Sequence, residues 1–233
     1  MFTKVISWAH AAKDGDLWVS MHRLRQQEFI ERLAYDVCSD DGLEHDQYDT
    51  PAARYVVAYN NRRRVLGTIR LLPTLKPFML KDLWPELLPA NFQPSVEQWE
   101  ASRIVVDSAE KLSTRNETIL RLLLEAQYFG IENNIQNYLG VMYPAIWKTA
   151  IIKNGCTAVK IARTMDGERV LESSHVPISR SIYHRVNARL QGLLGTTHPN
   201  KIRDSRPNNQ KHTYVFPPTA PQAAEADPIV LTS

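Results

Sequence analysis

Residues 54–72 read RYVVAYNNRRRVLGTIRLL, two apolar stretches on either side of a polar turn. Both stretches are dense in β-branched and aromatic residues, which favour strands, so the pattern predicts a β-hairpin. Side chains of a strand alternate between its two faces, and the second strand therefore carries Arg70 on the same face as Thr68 and Leu72. An arginine among apolar neighbours indicates that this sheet includes a charged group in its interior.

The segments around the hairpin predict further helices and strands. Upstream, apolar residues recur every three to five positions between Leu17 and Leu33, which is typical of an amphipathic helix. Downstream, the predicted elements are a strand at 98–106, a helix at 117–133, a strand at 138–142, a helix from Pro144 to Asn154 that Gly155 ends, and a strand at 157–163. A hairpin followed by alternating strands and helices predicts an α/β protein with a mixed sheet.

Length and composition indicate one globular domain. The chain has 233 residues, of which 43% are hydrophobic and 23% charged, enough for a substantial core. No run of about 18 apolar residues is present and the first residues lack the apolar segment of a signal peptide, so we expect no membrane span and a cytoplasmic location. We place the domain at 1–195, followed by a partly ordered tail at 196–233 that is rich in Pro, Asn and Ala.

Charge and cysteine content give little support to several other classes of protein. The net charge is +3 and the densest basic run is 62–64, a weak basis for nucleic-acid binding, so no nucleic-acid partner is expected. This run fits a solvated turn, and it also fits a contact with an acidic carrier protein or with the phosphates of coenzyme A. Cys38 and Cys156 lack metal-ligand spacing and are too few for a disulfide framework, so we expect thiols without a role and no metal site.

The segment GLEHDQYD at 42–49 places three carboxylates, those of Glu44, Asp46 and Asp49, within six positions. Crowded carboxylates repel one another unless cations neutralise them. The spacing does not match a calcium-binding EF-hand loop, because the required glycine and terminal glutamate are missing. Two interpretations remain open, a solvated acidic loop or a site for a cationic ligand whose geometry arginines elsewhere in the chain would fix.

Arginines do occur at unusual places. Arg25 lies on the first helix, whereas Arg70 and Arg103 lie inside apolar strands, as does Glu100. Buried charges are costly unless they are paired, so this set indicates either structural ion pairs or a functional site. Simple alternation puts Glu100 and Arg103 on opposite faces, and both reach one site only if the strand contains a β-bulge. We therefore predict a bulge, which would also splay the neighbouring strands and open a cleft.

Five short motifs now resemble, in order and spacing, the signature of autoinducer synthases, the acyl-homoserine lactone synthases. The resemblance covers roughly residues 1–195 and includes GVMYPAIWKTAIIKNG at 140–155, similar to a later strand and helix of the family. The motifs are Arg25-x-x-x-Phe29, Tyr35-Asp36-Val37, Glu44-x-Asp46-x-x-Asp49, Arg70-Leu71-Leu72-Pro73-Thr74 and Trp99-Glu100-Ala101-Ser102-Arg103.

The resemblance implies a GNAT-like α/β fold with helices on both faces of a mixed sheet, which splays into a V-shaped cleft for the acyl donor. The implied substrates are S-adenosylmethionine and an acyl thioester of coenzyme A or of acyl carrier protein, with no metal or redox cofactor. The implied reaction joins the acyl group to the amino group and then closes the lactone ring, which releases methylthioadenosine.

The resemblance also implies roles for individual residues. Glu100 is the first choice for the base that deprotonates the amino group, with Asp46 or Glu44 as alternatives. Arg103 would position the substrate carboxylate or organise the acidic loop. The expected substrate-binding residues are Arg25, Phe29, Tyr35, Asp49, Arg70, Trp84, Ser102, Met142 and Tyr143.

Two residues depart from the usual family pattern, since Tyr35 replaces a tryptophan and Trp84 replaces a phenylalanine. If the larger Trp84 side chain lies beside the acyl cleft, it shortens or reshapes it, which favours short, branched or aryl acyl groups delivered by coenzyme A. Two other functions fit the sequence. One is a GNAT-type acyltransferase that uses another amine acceptor, and the other is a binding module whose charged residues serve only structure.

Overall fold

The computed structural model describes residues 1–11 and 13–195, and the tail predicted at 196–233 lies outside the described residues. The predicted hairpin at 54–72 is present as an antiparallel pair of strands. The strands are β1 (Phe2–Ile6), β2 (Ser39–Asp40), β3 (Leu43–Glu44), β4 (Arg54–Tyr59), β5 (Val65–Pro73), β6 (Gln98–Val106), β7 (Asn137–Met142), β8 (Val159–Asp166) and β9 (Arg169–Pro177). The helices are α1 (Gly15–Arg25), α2 (Met79–Leu83), α3 (Leu112–Glu132), α4 (Pro144–Ile146) and α5 (Arg180–Leu193).

Within the described residues, seven strands form one sheet in the order β1-β4-β5-β6-β7-β9-β8. The pair β6 and β7 is parallel and the other neighbouring pairs are antiparallel. The short strands β2 and β3 form a separate hairpin within the acidic loop. None of the described helices combines the length and hydropathy that a membrane crossing requires.

Helices cover both faces of the sheet because the strand side chains alternate between two apolar clusters. Ile69 and Leu71 of β5 point into the cluster formed with α3 and α5, whereas Leu72 belongs to the cluster formed with α1 and α2. Arg70 lies on the same side as Leu72, as the alternation predicts. The predicted GNAT-like fold is confirmed by this architecture.

Strand β6 contains the predicted bulge. Thr68 of β5 pairs with Val105, and the next pair joins Arg70 to Ser102, so two steps along β5 correspond to three steps along β6. The extra residue is accommodated where Arg103 adopts a left-handed backbone with φ of 51°. Because of this conformation, Arg103 turns its side chain towards the acidic loop.

The predicted V-shaped opening lies between β6 and β7. Their parallel pairing is limited to three residues on each strand, 98–100 against 137–139. Beyond Glu100 and Leu139 the two strands have no registered partners in each other, and the sheet splits at this point. The bulge and the split therefore occur on the same strand, within three residues of each other.

Several elements differ from the sequence prediction. The first helix continues through a π-helical segment, Gln26–Arg32, and α4 continues through another, Trp147–Ile152. Strands β1 and β9 and helix α5 were not predicted. The polar run Glu172–His175 lies in β9, although polar residues do not indicate a buried strand. Ser173 and Ser174 are nevertheless buried, and Ser173 donates to the Leu87 carbonyl at 2.6 Å.

The basic run at 62–64 forms the turn of the hairpin and is only partly the solvated turn that the sequence indicates. Arg63 has a left-handed backbone and binds the carboxylates of Asp14 and Asp16. Arg64 pairs with Asp107 and Glu110. Two of the three charges are therefore neutralised within the described part of the chain.

Gly67 gives a stability test of the packing between β5 and α3. A Cβ at this position would lie 2.6 Å from Thr118 Cγ2 and 2.9 Å from Leu122 Cδ1. We expect Gly67→Ala to lower the free energy of unfolding by about 1–3 kcal/mol through overpacking, measured by urea denaturation. Gly192→Ala is the matched control, since no atom lies within 4 Å of its Cβ. Equal effects of the two substitutions would contradict this packing.

Candidate active site

The acidic loop and helix α1 meet in a buried ion-pair network. Arg25 donates from Nη1 and Nη2 to the two carboxylate oxygens of Asp49, at 2.9 and 2.8 Å, and from Nε to Glu44. This bidentate contact with Asp49 fixes both the position and the plane of the guanidinium group. The side chains of Arg25 and Glu44 are 0% exposed, so neither charge is solvated.

The strands add two more arginines to the same network. Arg70 of β5 donates to Asp46 and, at 3.0 Å, to Asp49, and its Nε donates to Ser102 Oγ at 3.1 Å. Arg103 of β6 lies 3.0 Å from Glu44 Oε1 and 2.7 Å from Asp46 Oδ2. The structure therefore brings all three predicted arginines onto the three predicted carboxylates.

The loop folds back on itself so that its carboxylates converge. The Asp46 backbone N–H donates to Asp49 Oδ2 at 2.9 Å, and the Tyr48 N–H donates to Asp46 Oδ1 at the same distance. Such local side-chain to backbone bonds are the usual way in which aspartates shape turns. Each aspartate thus both shapes the turn and binds an arginine.

The network changes the interpretation of the acidic loop. Three guanidinium groups balance three carboxylates, so the loop is neither a solvated acidic segment nor an unneutralised cation site. Burial alone would raise the pKa of Asp49, but the hydrogen bonds and charge of Arg25 outweigh it and hold that pKa well below its usual range. What the site presents to a ligand is an ordered set of alternating charges.

The part of the network that solvent reaches is Arg103 and the Asp46 carboxylate beside it. The Arg103 side chain is 12% exposed and that of Asp46 is 9% exposed, whereas Arg25 and Arg70 are fully buried. The Arg103 guanidinium lies over the Phe29 ring, 5.4 Å from its centre. A ligand that approaches the network therefore meets Arg103, Asp46 and an aromatic face.

Glu100 lies in the interior beside the network without an arginine of its own. It is 1% exposed, and its Oε2 accepts the Leu80 backbone N–H at 2.8 Å. Burial raises the pKa of Glu100, although that hydrogen bond and the charge of Arg70 act in the opposite direction. Its Oε1 and Arg70 Nη2 are both buried and make no hydrogen bond within the described residues. Asp46 Oδ2 likewise makes no hydrogen bond there, so two acceptors and one donor are available in and beside the network.

Aromatic residues form one border of the site. Tyr35 stacks on Phe29 with ring centres 6.0 Å apart. The Tyr143 hydroxyl donates to Asp166 at 2.7 Å, which raises the pKa of Tyr143 to about 12. Tyr143 is also near enough to Tyr35 for their charges to interact. Tyr143 is thus brought beside Phe29 and Tyr35 from a segment far away in sequence.

Sequence reasoning missed two residues that complete the network. The Tyr55 hydroxyl donates to Asp49 Oδ1 at 2.7 Å, and His22 Nδ1 lies 2.7 Å from the Glu44 carbonyl, to which it donates. Burial lowers the pKa of His22 and so favours its neutral form. His22 precedes Arg25 by three positions on one helix face, a spacing that was visible in the sequence. Tyr55 is opposite Arg70 in the hairpin register, which the sequence alone does not fix.

An apolar cavity lies at the split between β6 and β7, on the side of α3. Met142, one of the residues expected to bind substrate, is part of its wall. Trp84 is not, and packs in the cluster of α1 and α2. The cavity therefore gives no support to a role of Trp84 in acyl length. Cys156 also lines it, and burial raises the pKa of this thiol to about 12. The wall further includes Ile69, Leu71, Ala101, Ile104, Leu123, Ala126, Gln127, Tyr138, Leu139, Gly140, Trp147, Ile151 and Val176.

Comparison with known proteins gives matches over most of the chain. The family model described as autoinducer synthase matches residues 10–180. An acyl-homoserine-lactone synthase of Aliivibrio fischeri is 33% identical over 175 residues, 75% of this chain and 78% of that protein. One from Vibrio anguillarum is 28% identical over 180 residues, 73% of this chain and 91% of that protein.

Solved structures match the fold. The structure of a CoA-dependent acyl-homoserine lactone synthase, BjaI, with SAM and isopentyl-CoA has a TM-score of 0.71 and 25% sequence identity to this chain. The match covers 80% of this chain and 87% of that one.

Asp49 and Glu100 lead to opposite predictions for stability. The lowered pKa of Asp49 means that its charge stabilises the fold above its usual pKa of 3.8, and this stabilisation is lost as the pH falls below that value. We expect Asp49→Asn to cost about 3–5 kcal/mol at pH 7, because Arg25 and Arg70 lose a buried partner.

The raised pKa of Glu100 has the opposite sign, since folding then opposes its ionisation and stability falls as the pH rises above 4.5. Glu100→Gln removes this dependence and should raise the free energy of unfolding at pH 7 but not at pH 4. Urea denaturation at both pH values measures the two variants. A loss of stability in Glu100→Gln at pH 7 would show that Glu100 is a charged structural partner.

Proposed function

The chain belongs to the autoinducer synthase family, and we propose that it makes an acyl-homoserine lactone from S-adenosylmethionine and an acyl thioester. The observation that carries the proposal is the ion-pair network, which contains Arg25, Arg70 and Arg103 and the three carboxylates of the loop motif and lies beside Glu100. A network that served only the fold would not need a nearby carboxyl group without an arginine partner or an apolar cavity at the split of the sheet. Acyl transfer to a charged amino acid derivative can use both, the first as a base and the second for the acyl group.

In the first step, the α-amino nitrogen attacks the thioester carbonyl, an amide bond forms, the carbon–sulfur bond breaks and the thiol leaves. The ammonium group must lose one proton before it can attack, and Glu100 is the proposed acceptor. The second proton that the nitrogen loses as the amide forms goes to the departing sulfur. Support comes from its burial, which raises its pKa and makes its carboxylate a stronger base. Glu44 and Asp46 each form ion pairs with two arginines, which favour the charged carboxylate and make these two alternatives weaker bases.

In the second step, the substrate carboxylate attacks its own γ-carbon. A carbon–oxygen bond forms, and the bond to the sulfonium breaks as methylthioadenosine leaves with the electron pair. Neither step changes an oxidation state, and we propose that the reaction uses no metal or redox cofactor. The proposed contribution of Arg103 is to orient the carboxylate, because Arg103 is the network arginine that solvent reaches.

The other network residues act by holding this arrangement fixed. Arg25, Arg70 and Asp49 are buried and multiply bonded, so the charges facing the ligand need little rearrangement during the reaction. Phe29 and Tyr35 supply a flat apolar surface beside the network. We propose that it receives the adenosine portion of the substrate, which would otherwise expose its ring to water.

The acyl group is proposed to enter the cavity between β6 and β7, which is lined almost wholly by apolar side chains. Coenzyme A is the proposed donor, and the fold shared with the CoA-dependent synthase supports it. We propose a short or branched acyl group on the basis of the residues that line this cavity, and not on the basis of Trp84. We place the reaction in the cytoplasm, where both substrates are made.

The test is to incubate the purified protein with S-adenosylmethionine and a panel of acyl-coenzyme A and acyl carrier protein thioesters. We expect lactone, free thiol and methylthioadenosine in equal amounts, identified by mass. Thiol release with another amine and no methylthioadenosine would instead identify an ordinary acyltransferase.

The role of Glu100 has its own test in the same assay. Glu100→Gln should lower turnover by roughly 10²–10⁴-fold, the usual contribution of a general base. Glu97→Gln is the matched control, because Glu97 lies three positions away on an exposed part of the chain. Unchanged turnover in Glu100→Gln would remove Glu100 from the role of base.

A further inference from the structure

Trp147 lies at the point where β6 and β7 separate. The last registered pair is Glu100 with Leu139, and the next residues are Ala101 and Gly140. A Cβ at Gly140 would lie 3.2 Å from Cη2 of the Trp147 indole and 3.3 Å from the Ala101 carbonyl oxygen. The edge of the indole therefore occupies the fork of the V, and it fits there because residue 140 has no side chain.

The indole is held in this place. Its Nε1–H donates to the Glu172 carbonyl of β9 at 2.8 Å, and the side chain is 2% exposed. The Glu172 carboxylate in turn pairs with Arg163 and Lys160 of β8. A buried indole with its one polar group bonded cannot swing aside without breaking that bond.

The π-helical segment Trp147–Ile152 contributes two residues to the cavity wall, Trp147 and Ile151. Such segments are uncommon and are frequent at functional sites. Met142 and Cys156 complete the wall next to the indole. An acyl chain that enters between the strands must therefore pass Ala101 and Gly140 and then meets the indole face or edge.

We propose that Trp147 sets the length of the acyl group that the enzyme accepts, by closing the apolar cavity at the fork between β6 and β7. This inference rests on the proposed function, because it assigns the cavity to the acyl group. Trp147 acts by excluded volume. Its indole is held by the hydrogen bond to the Glu172 carbonyl and fits at the fork because Gly140 has no side chain. The favoured donors are then short or branched acyl groups.

The experiment measures kcat/KM for a series of straight-chain acyl-coenzyme A thioesters from butanoyl to dodecanoyl, with acyl carrier protein thioesters in parallel. In Trp147→Leu we expect the optimum to move to longer chains. The preference for a donor one methylene longer should change on the order of tenfold, the effect of one methylene in an apolar pocket. Gly140→Ala pushes the indole into the cavity and should move the optimum to shorter chains.

Trp147→Phe keeps most of the ring but loses the bond to Glu172, and should change the optimum less than Trp147→Leu does. Trp99→Leu is the matched control, because Trp99 lies in the same apolar cluster and its Nε1 donates to the Val96 carbonyl at 3.2 Å, yet it does not line the cavity. It should keep the wild-type chain-length profile.

Two readouts separate this inference from the proposed function. Thiol release reports acyl-chain preference whatever the acceptor, whereas methylthioadenosine reports lactone formation. Absence of methylthioadenosine in the wild type would overturn the proposed function. The role of Trp147 would then be decided by comparing the chain-length profiles of thiol release in the wild type and the variants. Wild-type profiles in folded Trp147→Leu and Gly140→Ala, or the same shift in Trp99→Leu, would overturn the role of Trp147.

Discussion

The structure depends on the pairing of buried arginines with the acidic loop. Arg25 and Arg70 are fully buried, and either one left unpaired would cost several kcal/mol. Helix α1 and strand β5 can therefore pack with these arginines inside only if the loop at 42–49 brings its carboxylates to them. The same requirement ties the fold to the proposed site, because Asp46, which pairs with the buried Arg70, also pairs with Arg103 where solvent reaches the network.

The bulge in β6 lies where Arg103 has a left-handed backbone and close to the point where β6 separates from β7. A left-handed backbone at a residue other than glycine costs on the order of 1 kcal/mol, and Arg103 is held in it by two carboxylates. The irregularity turns Arg103 towards the site, and within three residues of it β6 parts from β7. The charged network and the apolar cavity thus lie beside the same irregular strand.

Sequence reasoning identified the features that follow from the free-energy cost of burying a charge without a partner. Arg70 and Arg103 stood out because charges inside apolar strands need partners, and the bulge followed because Glu100 and Arg103 could not otherwise share a site. It missed features that depend on register and distant packing. Tyr55 reaches Asp49 only through the pairing of the hairpin strands. Strand β9 contains buried polar residues, which do not indicate a strand, and the position of Trp147 depends on its contact with Gly140. For the same reason, the sequence could not say that Trp84 lies away from the cavity.

The central claim is that the network is built for a ligand and not for the fold alone, and Arg103 tests it most directly because it is the network arginine that solvent reaches. The measurement is the affinity for S-adenosylmethionine by titration calorimetry in Arg103→Gln, with urea denaturation of the same sample. We predict a loss of affinity of at least about tenfold, as expected for one hydrogen bond to a charged group, in a variant that remains folded. Unchanged affinity together with a large loss of stability would contradict the claim.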